Sequence, residues 1–159
     1  MTVRISNLGG FLKGIEALKS LPEDIIRKKM TTILRLAHEK VTIRTPVYTG
    51  KSLRNWVWTM DKPSSASNME ALGSGDPGRT SQMRLGSEPR RPANQAAVDA
   101  TFAALDLSKP MRSYWLTNNS DQIVDLEYGK LPSPGSSRNP AGMVRVTVEE
   151  ILQALRTGK

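Results

Sequence analysis

One segment limits the fold more than any other: "PEDIIRKKMTTILRLAHEKVTIRTP", from Pro22 to Pro46. Ile26, Met30, Ile33, Ala37 and Val41 recur every three or four residues, which places them on one face of an α-helix. Arg27, Lys28, Arg35 and Glu39 fall mostly outside that face. Pro22 suits a first helical turn, and Glu23 and Asp24 follow where the helix dipole favours negative charge. Thr45 precedes Pro46, whose ring pushes it out of helical conformation, so the helix ends there.

Shorter elements flank it. Phe11, Ile15 and Leu18 predict a helix over about 11–20. Thr49-Gly50 offers a turn, and Leu53, Trp56, Val57, Trp58 and Met60 predict a strand near 52–60. Residues 62–92 are rich in Pro, Gly, Ser and Arg and read as an extended loop or arm. Asn94 is placed to cap a modest helix ended by Lys109-Pro110. "SYWLTN" and "QIVDLEYG" read as two strands joined by a hairpin-like turn at 118–121. Asn139 then caps a last helix with Pro140 at its first position. Val144, Val148, Ile151, Leu152 and Leu155 make its apolar face, and Gly158 lies past its end. The expectation is a single α+β domain over 1–159: a small antiparallel sheet packed against a long N-terminal helix and a C-terminal helix, with 62–92 as the excursion.

Composition narrows the function classes. The chain of 159 residues has no cysteine, which excludes disulfides and thiolate metal sites. No stretch has the length of a membrane span and no targeting signal is visible, so intracellular synthesis is expected. The formal net charge of +8 suits nucleic acid, an anionic membrane surface or an acidic protein. The cations are dispersed along the chain, a weaker nucleic-acid signal than a basic stripe with interleaved aromatics.

Catalytic constellations are thin. "GSGDPGRT" at 73–80 has phosphate-loop glycine spacing, but no buried strand precedes it, Pro77 removes a donor and Asp76 repels an anion. His38 is the sole histidine, and Thr42 stands where a zinc-peptidase helix needs the second. Asp125 with Glu127, or Glu149 with Glu150, are the remaining carboxylate pairs; a solvated strand face is the plainer reading of the first. Trp56 and Trp58 share a face at period two and read as core, not as a base-stacking platform. No catalysis, cofactor or metal is expected.

Three stretches, in order, carry a resemblance: "TPVYTGKSLRN", "YWLTNNSDQIVDLEYGK" and "NPAGMVRVTVEE". Together they look like the neck or tail-completion proteins of tailed bacteriophages, the family named after a small tail-assembly protein of phage HK97. The motif positions are Thr45, Pro46, Val47, Thr49 and Gly50; Glu127, Tyr128 and Gly129; and Pro140, Ala141, Gly142, Met143, Val144 and Arg145. The resemblance covers most of the chain except about 62–92. It implies a non-catalytic virion protein, made in the host cytoplasm, whose copies form a ring at the head–tail junction. Six copies are favoured, with twelve as the alternative. The implied neighbours are a connector or adaptor ring and tail or tail-terminator proteins, with non-specific contact to genomic DNA in the channel and none to a membrane.

On that reading, Tyr128, Gly129, Lys130, Leu131, Pro132, Pro134 and Arg138 belong to an exposed loop that docks on a neighbouring subunit. The rival reading is a small basic nucleic-acid-binding protein with the long helix as its contact.

Overall fold

The computed structural model describes residues 22–73, 89–109, 112–130 and 142–157, together with Glu16. The expected helix over 11–20 and the glycine-rich run from 74 onward therefore lie outside the described residues.

Helix α1 (Glu23–Arg44) spans 22 residues, with Glu23 and Asp24 in its first turn. It ends where Thr45 turns extended at φ −73° and ψ 114°, the conformation that Pro46 imposes. Its buried residues are Leu34, Val41 and Thr42, so its C-terminal half holds the core. A single turn, α2 (Lys51–Arg54), leads into β1 (Trp56–Met60). Helix α3 (Arg91–Ala103) follows, then β2 (Tyr114–Asn118), the short α4 (Ile123–Glu127) and α5 (Met143–Thr157). β1 and β2 pair antiparallel from Trp56 opposite Asn118 to Met60 opposite Tyr114. The architecture is α+β.

Val41, Val47, Leu53, Trp56 and Val98 form the central cluster, against which Leu116, Ile123 and Val144 pack. Trp56 and Trp58 are both buried, as their shared strand face requires. α5 lies along α1, where Arg44 donates to Thr147 Oγ1 and to the Glu150 carboxylate.

Several elements differ from the sequence reading. Residues 51–54 are helical, because the Gly50 carbonyl accepts from Arg54 and the Lys51 carbonyl from Asn55, both in its backbone and side-chain N–H groups. That turn brings Leu53 and Trp56, three apart, into one core. The expected strand in "QIVDLEYG" is helix α4. Ile123 and Leu126 point inward at helical spacing, whereas Val124, which a strand would align with Leu126, is exposed. Asp125 and Glu127 consequently share no strand face.

Asn94 lies inside α3, which starts at Arg91 with Pro92 in its first turn, and the helix stops at Ala103, before Lys109. The last helix is described from Met143; the expected cap Asn139 and first residue Pro140 lie outside the described residues. The supposed arm is in part fastened down: the side chain of Asn119 donates to the carbonyls of Ser64 and Ala66, and Asn55 bonds both N–H and C=O of Met69.

Candidate functional site

Two joints gather the residues that carry the resemblance. The first begins at the end of α4. Gly129, at φ 64°, lets the chain reverse: its amide donates to Leu126 O, and the Lys130 amide to Asp125 O at 2.8 Å. That pair of bonds is a Schellman motif, which satisfies the last carbonyls of the helix.

At the start of α5, Gly142 stands in the N-cap position with φ 81°. A glycine there has no side chain to accept the free amides of the first turn. Glu127 does so instead: its carboxylate accepts the Val144 amide at 2.9 Å and the Arg145 amide at 3.1 Å. The Glu127 carbonyl also receives the Gly142 amide at 2.6 Å. Negative charge at a helix N-terminus is further favoured by the dipole. Arg145 folds back, its Nε donating to Glu127 Oε1 and its Nη2 to the Glu127 carbonyl. Its guanidinium lies 4.8 Å from the centre of the Tyr128 ring, with Lys130 Nζ at 5.7 Å. Tyr128 remains 44% exposed. Glu127, Tyr128, Gly129, Gly142 and Arg145 therefore form one cluster. Leu131, Pro132, Pro134, Arg138 and Pro140 lie outside the described residues; the segment that carries them is bracketed by this clamp.

The second joint is the turn after α1. Thr45 is fully buried; its hydroxyl donates to Val41 O at 2.7 Å and accepts from Trp56 Nε1 at 2.8 Å. Pro46 is half-buried and Val47 buried. The Thr49 hydroxyl accepts the Lys51 amide. Gly50 sits at φ 96°, where a Cβ would run into the Asn94 side chain, 2.8 Å from its Cγ. Asn94 needs that closeness: fully buried, it bonds both N–H and C=O of Leu72 as well as Arg90 O. Arg91 closes the joint from α3, donating to Thr42 O at 2.9 Å and Thr45 O at 2.7 Å at the end of α1.

Sequence reasoning did not foresee Arg91, Asn55 or the capping role of Glu127. Arg91 is one of the cations dispersed along the chain, and Asn94 has the sequence position of a cap.

His38 has more to do than its helical position suggested. Its Nδ1 accepts the Trp58 indole N–H at 3.1 Å, so Nε2 carries the proton that Asp99 accepts at 2.9 Å. Its ring stacks on Phe102 at 4.6 Å between centroids. Both nitrogens are committed, one to an indole that cannot act as a nucleophile, so this Asp–His pair is a structural brace. Glu149 and Glu150 form no acid–base pair: Glu150 is held by Arg44, whose hydrogen bond lowers its carboxyl pKa, while burial opposes the shift. Among the described residues no group of three His, Asp or Glu could hold a metal ion. A groove of about 450 Å³ runs between β1, the end of α3 and residues 61–65. Its one carboxylate, Asp61, pairs with Arg112. No helix among the described residues is long and apolar enough to cross a membrane.

Comparison with known proteins finds no matching family, no matching curated protein and no matching solved structure.

Proposed function

We propose that this chain is a structural subunit of a ring at the head–tail junction of a tailed bacteriophage, joining the head connector to the tail. Six copies are the favoured number and twelve the alternative.

The observation that carries this reading is the clamp at Glu127. It draws together two of the three stretches behind the resemblance, although they are separated in sequence by a run rich in Pro, Ser and Gly. A rigid base under a polar run is what a docking loop requires: the ends stay fixed on the subunit while the middle meets a neighbour. Tyr128, exposed and flanked by Arg145 and Lys130, adds an aromatic and cationic contact at that base, suited to an acidic partner surface. Deleting 131–137 tests the reading, because the Glu127–Gly142 clamp remains to hold the fold. Loss of ring assembly and of head-to-tail joining is expected. Unchanged assembly and joining would contradict it.

A second reading, a small nucleic-acid-binding protein, is favoured by one observation. Arg27, Lys28, Lys29 and Arg35 are exposed on α1 and have no ion-pair partner among the described residues. On this reading the isolated subunit binds duplex DNA with a steep salt dependence, and charge reversal at Lys28 and Arg35 makes that dependence shallower. Binding indifferent to salt would exclude it.

A further inference from the structure

β2 is paired on one side only. The Asp61 amide donates to Ser113 O at 2.8 Å, and the register continues to Thr59 opposite Trp115 and Val57 opposite Thr117. Antiparallel alternation therefore points the backbone groups of Trp115 and Thr117 at β1, and those of Tyr114, Leu116 and Asn118 away from it. The far edge of the sheet is covered by α3, to which the outward amide of Trp58 donates through Thr101 Oγ1 at 3.2 Å. On the β2 edge, among the described residues, nothing partners the outward backbone groups of Tyr114, Leu116 or Asn118.

Solitary edges in natural sheets are blunted by Lys, Pro or a bulge. "YWLTN" has no charge and no proline, and its register is unbroken. Trp115, on the outer sheet face, is 42% exposed. This edge has the character of a template for strand addition.

We propose that it receives residues 2–6, Thr-Val-Arg-Ile-Ser, of a neighbouring copy as a third strand. The segment alternates polar with β-branched apolar residues, matches β2 in length and contains neither Pro nor Gly. Gly9-Gly10 behind it permits a sharp change of direction. Val3 and Ile5 share one strand face and would cover Trp115, because the opposite sheet face is already packed on the core. A strand given by one subunit and received by the next is a heterologous contact, the kind that closes into a ring. The inference deepens the ring reading by naming one joint, while its physical basis is the β2 edge itself.

Amide exchange on the full chain tests it, comparing wild type with a Val3→Pro, Ile5→Pro variant. In the assembled wild type the Leu116 and Asn118 amides should be protected, and in the variant they should exchange at least ~10-fold faster while the Val98 amide in the core is unchanged. Fast exchange at Leu116 in assembled wild type would overturn this joint and leave the ring reading standing. Protection that survives dilution to the monomer would also overturn it, because the strand would then come from the same chain. A protein that stays monomeric at every concentration and with its partner ring would overturn both.

Discussion

Glu127 and Val144 are 17 residues apart, yet the carboxylate of the first accepts the amide of the second at 2.9 Å and so caps α5 from outside. An acceptor that a helix normally draws from its own N-cap is supplied here by the end of another helix, because Gly142 occupies the cap position with φ 81°.

Removing that acceptor should loosen α5 selectively. Glu127→Ala is expected to lower stability by about 1–2 kcal/mol, the range for loss of a helix cap, and Glu127→Gln by less because one oxygen remains. Urea denaturation measures the totals. Exchange of the Val144 and Arg145 amides shows whether the loss is local.

Gly50 is expected to tolerate no side chain. Gly50→Ala adds the left-handed penalty of about 1–2 kcal/mol and displaces Asn94, which fastens Leu72. The variant should be less stable and should be cut faster by protease between 62 and 73 than wild type. Equal cleavage rates would mean that Asn94 is not what holds this segment.

Arg91 is a buried cation whose removal leaves the Thr45 carbonyl without the side-chain donor that meets it, while the Thr42 carbonyl keeps the Thr45 amide at 3.2 Å. Arg91→Met should cost about 1–3 kcal/mol, the cost of leaving one buried acceptor unsatisfied. Arg91→Lys should rescue little, because a single ammonium cannot reproduce the two-pronged geometry.

Glu150 ties stability to acid pH. Its carboxyl pKa is lowered chiefly by the Arg44 hydrogen bond, with charge from Arg44 and Lys40 adding to it. A depressed carboxylate pKa stabilises the fold above its unfolded value, and that contribution is lost as pH falls through the folded value. Thermal midpoints should therefore fall less between neutral and acidic pH in Glu150→Gln than in wild type. An identical pH profile in the two proteins would show that the α1–α5 pair adds nothing.

Much of this fold is legible in the sequence where the signal is local. The end of α1 at Thr45 follows from proline geometry, its start falls at Glu23 with Pro22 as the N-cap instead of in the first turn, and the burial of Trp56 and Trp58 follows from strand alternation. Reading fails where a short segment satisfies two periods at once. "QIVDLE" admits alternation as well as helical spacing, and what favours the helix is the Schellman turn at Gly129. It fails again where a polar side chain works at long range. Arg91 looks like surface charge and Asn94 like a cap, because their partners lie 46–49 and 22 residues earlier. Glu127 stands out in the sequence as a motif residue, but its task becomes visible only where Gly142 lacks a side chain for the same task.

The functional reading proposed above requires that copies of this chain close into a ring. Light scattering on the purified protein, with and without duplex DNA, followed by particle images of any oligomer, tests it most directly. Closed rings of six, or alternatively twelve, subunits that form without DNA are expected. A protein that remains a monomer even with its partner ring present, and changes mass only on adding DNA at low salt, would contradict it.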